Sequence, residues 1–122
     1  MKTSNKKYEI TDIAHETYPF LHRIRALRDI GENVKAGDLG GFVEGEHNLE
    51  TELSDSAWIF DDAIACGSAY VNQDSSLHNT AIACDHAYVS CGSALYGQAR
   101  AEDDAYLRGA CLLYTSPSPR DS

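Results

Sequence analysis

Nine residues recur almost unchanged at an offset of 18: A-I-A-C-G-S-A-Y-V, Ala63 to Val71, is answered by A-I-A-C-D-H-A-Y-V, Ala81 to Val89. A weaker third copy, A-R-A-E-D-D-A-Y-L, runs from Ala99 to Leu107. Within each copy a beat of six sets small residues at Ala57, Ala63, Ala69, Ser75, Ala81, Ala87, Ser93, Ala99 and Ala105, each followed two residues later by an apolar one. The first and third side chains of such a triplet point to one side of a short strand and the middle one to the other. Hexapeptide units of this kind stack as a parallel β-helix, three units closing one triangular coil of 18 residues. Residues 18 apart then sit above one another at about 4.8 Å.

The columns follow. Inward, Leu53, Val71, Val89 and Leu107 stack on one face; Ile59, Leu77 and Leu95 on the next; Ala65, Ala83 and Ala101 on a thin third. Outward, Tyr70, Tyr88 and Tyr106 form a ladder, Ile64, Ile82 and Arg100 a second column, and Trp58, Ser76 and Ala94 a third. Corner columns hold Phe60, His78 and Tyr96, then Cys66, Cys84 and Glu102. A Tyr ladder stabilises a sheet by stacking. Exposed beside Ile64 and Ile82, it would also make a contact face.

Charge narrows the partners. The net charge is −9, with +2 carried by residues 1–35 and −11 by the remainder. An acidic solenoid repels phosphate backbones, which argues against direct nucleic-acid binding and for a basic protein surface. No run approaches the ~20 apolar residues of a membrane span, and the start lacks a signal-peptide core, so a cytoplasmic protein is expected. The four cysteines, Cys66, Cys84, Cys91 and Cys111, show no CxxC pairing and read as free thiols in a reducing compartment.

Ahead of the repeats, residues 1–45 read as an N-terminal cap to the 46–110 solenoid. Tyr8 and Ile10 share one face of a first strand. Leu21 to Ile30 alternates as a second, with Ile24 and Ala26 opposite Arg23 and Arg25; a helix is the alternative there. Gly37, Gly40 and Gly41 are expected to turn around Leu39 and Phe42. After Gly109 the beat stops, and 111–122 resembles a translated sequencing adapter, set apart from the fold; the natural chain would then continue with further coils.

With I-R-A-L-R-D-I at Ile24 to Ile30, A-G-D-L-G-G-F-V-E at Ala36 to Glu44, N-L-E at Asn48 to Glu50 and A-W-I-F-D-D-A at Ala57 to Ala63, residues 6–109 resemble the YdcK-type β-solenoid family of bacterial and prophage proteins. The resemblance implies a left-handed parallel β-helix. Some members carry a transferase label through their similarity to hexapeptide acyltransferases, which form trimers around a general-base His.

Function divides into two classes. As a binding protein, the chain would use Tyr70, Tyr88, Tyr106, Ile64 and Ile82 as a docking or self-association face, forming a dimer or trimer. Arg23, Arg25 and Arg28 would serve a small anionic ligand. Its concrete versions are a phage counter-defence inhibitor and a protein that sequesters a nucleotide signal. As an enzyme, it would rely on His78, beside Asn79, or His86, beside Asp85, as a general base. Against catalysis, both lie inside regular coils without a looped-out pocket. A metal variant would pair His86 with Asp104, or Cys66 with Cys84 and Glu102, but only two or three ligands converge in each column, where zinc sites want three or four. No cofactor is expected.

Overall fold

The computed structural model describes residues 5–107 and the strand Leu112–Leu113; Cys111 and the rest of the 111–122 tail lie outside the described residues. From Trp58 onward the chain alternates two-residue strands with tight corners. At each corner the small residue's N–H donates three residues back, as from Ala63 to the Phe60 carbonyl, Ala81 to His78 and Ala99 to Tyr96, all at 3.1 Å. The buried methyls of Ala57, Ala63, Ala69, Ala81 and Ala87 fill the narrow vertices, where larger side chains would not fit.

Each corner also carries a residue in the left-handed region, and two corners carry a second, Asp74 at φ +65° and Gly92 at φ +78°. Asp61, Gly67, Gln73, Asn79, Asp85, Cys91, Gly97 and Asp103 recur every six residues with φ between +54° and +63°. Six of them are Gly, Asn or Asp, the residues that tolerate this conformation. Asn79 adds a bond from the Gly97 N–H to its Oδ1 at 2.8 Å. Asn79→Ala is therefore expected to cost about 1–2 kcal/mol, and Asn79→Gly less. The urea midpoints of the two variants check the order.

Three parallel ladders make the β-helix. On the first face β3 (Leu39–Val43), β5 (Ile64–Ala65), β8 (Ile82–Ala83) and β11 (Arg100–Ala101) are consecutive. The second stacks β6 (Tyr70–Val71), β9 (Tyr88–Val89) and β12 (Tyr106–Leu107). The third stacks β4 (Trp58–Ile59), β7 (Ser76–Leu77), β10 (Ala94–Leu95) and β13 (Leu112–Leu113). Val71, Val89, Ile59, Leu77, Leu95, Ala65 and Ala83 all point inward with no exposed surface. β13 pairs with β10 at the usual 18-residue offset, Ala94 with Leu112, so the ladder extends past Gly109, where the sequence reading ended it.

The helix has about four turns rather than three, because a rung lies above those read from the repeats. Phe42 and Val43 pair with Ile64 and Ala65, and Leu49 bridges Val71. Both offsets are 22, so four extra residues interrupt the beat between Leu49 and Ile59. Leu53, expected inward, is consequently 45% exposed, and Leu49 fills its place. A turn closed by the Asp55 N–H on the Glu52 carbonyl expels it. The Asp55 carboxylate then anchors this loop by accepting from the Ala57, Gln73 and Asp74 N–H groups.

The head is a meander, β1 (Tyr8–Ala14), β2 (His22–Ala26) and β3, with Ile10 opposite Ile24 and Tyr8 opposite Ala26. Those four residues are buried, and Arg23 and Arg25 lie on the opposite side; the helical alternative does not form. β3 belongs to both parts, antiparallel to β2 and parallel to β5. Gly37 turns the chain at φ +93°, but Gly40 and Gly41 lie within β3 rather than in turns. A Cβ on Gly40 would come within 2.6 Å of the Ile59 carbonyl and 2.8 Å of the Trp58 ring. The missing side chains let the head lie directly on the first coil.

A candidate binding groove under the head

That close approach buries two residues expected on the outer surface. Trp58 is 1% exposed, packed edge-on to Tyr8 at 6.2 Å. Ile64 is 7% exposed and forms a small cluster with Leu21 and Phe42, against which Cys66 and Ile82 pack. Both sit under a sheet whose strands are remote in sequence, which a column pattern cannot anticipate.

Below Ile64 the face opens into a groove. Its roof is the turn between β1 and β2, where His15 Nδ1 accepts the Thr17 and Tyr18 N–H groups and the ring packs on Phe42 at 4.7 Å. This turn holds Tyr18 and Phe20 over the coils while leaving them 47% and 53% exposed. With the floor of Ile82, Cys66 and Cys84 they enclose about 130 Å³, and Arg100 stands at the far end. The sequence signal for the roof is Y-P-F at Tyr18 to Phe20, two aromatics flanking a proline between the first two strands.

The charged side chain lining the groove is Arg100, and the Glu44, Asp85 and Glu102 carboxylates stand near its thiols. Burial, then the neighbouring Cys84 and the carboxylates of Glu44 and Asp85, push the Cys66 thiol up to about 11. Cys84 is raised for the same reasons, burial first, then Asp85. Both thiols, and exposed Cys91, are free. The Arg100 guanidinium donates to Glu102 at 3.1 Å and approaches Cys84 Sγ at 3.9 Å. The ligating atoms of Cys84, Asp85 and Glu102 lie within 4.8 Å of one another.

The other residues singled out from sequence occupy separate places. The Tyr ladder runs down a different face, with rings 5.5 Å apart for Tyr70 and Tyr88 and 4.9 Å for Tyr88 and Tyr106. Tyr70 donates to the Glu50 carboxylate, and burial followed by that bond raises its pKa. Tyr106 is 53% exposed. His78 is sandwiched between Phe60 at 4.7 Å and Tyr96 at 4.4 Å, nearly parallel to both, and its Nε2 meets Ser76 Oγ at 2.8 Å. Burial lowers its pKa. His86 is exposed on another corner, beside Tyr88, Asp104 and Tyr106.

The three arginines do not form one cluster. Arg23 bonds the Gly40 and Asp61 carbonyls and the Asp62 carboxylate, with its guanidinium 4.2 Å from the Phe42 ring centre. It fastens head to coil. Arg25 pairs with Glu9 at 3.0 Å, and Arg28 is exposed. Sequence reasoning passed over Lys7, whose buried ammonium donates to the Glu50 carbonyl at 3.0 Å.

The fold and groove together define a parallel β-helix whose N-terminal meander overhangs an apolar channel. No family model, curated protein or solved structure matches the chain.

Proposed function

We propose that the chain is a YdcK-type β-solenoid that acts without chemistry, by docking a basic, amphipathic segment of another protein in the groove under its head. The observation that carries this reading is the exposure of Tyr18 and Phe20 above Ile82, an apolar channel held open by a locked turn. Exposed aromatics over an apolar floor are the usual anchors of a protein interface. The Glu44, Asp85 and Glu102 carboxylates near its thiols, and the −9 net charge, favour a cationic partner. The catalytic alternative has less support, since both faces of the His78 ring are covered.

The test uses a fluorescent peptide of alternating Lys and Leu, with a Glu and Leu peptide as its opposite. The basic peptide is expected to bind, and to weaken as salt screens the carboxylates. Phe20→Ser and Ile82→Ser, which leave charge unchanged, should each weaken it by about tenfold or more, whereas Tyr106→Ser on the other face should not. Equal binding by wild type and Phe20→Ser would overturn the reading.

A further inference from the structure

The corner columns put two thiols and two carboxylates at one end of the groove. Cys66 and Cys84 occupy the same position on successive rungs, their N–H groups donating to the Ala83 and Ala101 carbonyls at 2.9 Å each. Rungs are about 4.8 Å apart. Glu102 continues the column, and Asp85 follows Cys84 in the same corner. The Cys84, Asp85 and Glu102 donor atoms already lie within 4.8 Å of each other. A tetrahedral ion with metal–sulfur bonds near 2.3 Å and metal–oxygen bonds near 2.0–2.2 Å needs them about 1 Å closer, which the exposed Glu102 side chain can supply by changing rotamer.

We propose that Cys84, Asp85 and Glu102 form a binding site for a thiophilic divalent cation of the zinc class, with the Cys66 thiol one rung away as the candidate fourth donor. The donor chemistry selects the ion: thiolates prefer zinc and cadmium, whereas magnesium and calcium take oxygen-only shells. The place also already holds a positive charge. The Arg100 guanidinium reaches Glu102 Oε1 at 3.1 Å and Cys84 Sγ at 3.9 Å, and its half-exposed side chain is free to swing aside. Arg100 thus competes with the ion for the same donors. On binding, each thiol that ligates gives its proton to solvent and the metal–sulfur bond replaces the S–H bond.

This site goes beyond the docking reading and is tested separately from it, without peptide. Cadmium is titrated into the full-length protein, kept reduced by a phosphine, and the ultraviolet absorbance of sulfur-to-cadmium charge transfer is followed. The expected result is a saturable one-to-one signal that Cys84→Ser abolishes and Cys91→Ser leaves intact. Glu102→Gln, at an exposed position, should weaken binding by about tenfold or more, and Arg100→Ala should tighten it. Circular dichroism establishes that each variant is folded. Should Cys84→Ser fail to fold, Glu102→Gln decides: an unchanged cadmium affinity overturns the site. A signal that survives in folded Cys84→Ser, or that depends on Cys91, overturns it equally.

Discussion

Trp58→Ala is expected to destabilise the protein by about 3–5 kcal/mol, the range for removing a fully buried large aromatic. The ring is 1% exposed, meets Tyr8 edge-on, and lies against the position where Gly40 lacks a side chain. Deleting it leaves a void at the junction of head and first coil. The loss has a location as well as a size. Amide exchange should accelerate most in β1 and β2, which contact the coils through this junction, and least in the β8 to β11 pairing below it. A cost under about 1 kcal/mol would mean that Trp58 behaves as the surface residue its column position suggested.

Lys7→Met should stabilise the protein at pH 7 by about 2 kcal/mol, and the gain should depend on pH. Burial pushes the Lys7 ammonium from 10.5 down to about 8, against the opposing pull of Asp55, Glu50 and Asp74. Below pH 8 both native and unfolded chains hold the proton, and the native state bears the whole cost of burying a charge. Between 8 and 10.5 the unfolded chain keeps a proton that the native state has released, so wild-type stability from this group rises with pH. The full swing is roughly 3 kcal/mol, about 1.4 kcal/mol per unit. The lost bond to the Glu50 carbonyl offsets about 1 kcal/mol of the variant's advantage.

Cys66 works in the opposite direction. Its thiol, raised from 9 to about 11, stays protonated in the native state while the unfolded chain ionises, so its contribution is lost as pH rises through that window. The wild-type curve alone therefore mixes two signs. The difference between Lys7→Met and wild type cancels Cys66, and should shrink from pH 8 and vanish or reverse above 10.5. Urea melts of both proteins across this range measure it; a difference that does not change with pH would show that the amine is solvated.

What the sequence revealed was what repeats. The six-residue beat placed the small vertex residues, the inward Val, Leu and Ile columns, and the Phe60, His78 and Tyr96 stack, because each depends only on neighbours 18 residues away. Apart from the end set at Gly109, past which Leu112–Leu113 continues a ladder, the errors lie where a non-repeating element meets the coils. Trp58 and Ile64 looked exposed because the strands that cover them come from residues 8–43. Gly40 and Gly41 looked like turns because nothing local shows that a backbone passes against them. Leu53 kept the apparent beat while the chain looped out around it. The groove was half legible for the same reason: its floor is repeat, and its roof is not.

The uniform offset also makes the length of this molecule quantised. Any segment of 18 residues taken from within the regular coils begins and ends at the same vertex, so the rod can lengthen or shorten by one rung without disturbing the rungs on either side. Six residues fewer would instead turn everything beyond them by one face, carrying the Tyr ladder onto the column now held by Ile64, Ile82 and Arg100. The four-residue slip after Leu49 is where this freedom stops. Above it the overhang is keyed to the first coils, so duplication of coils beyond them would change the rod's reach while leaving its roofed end unaltered.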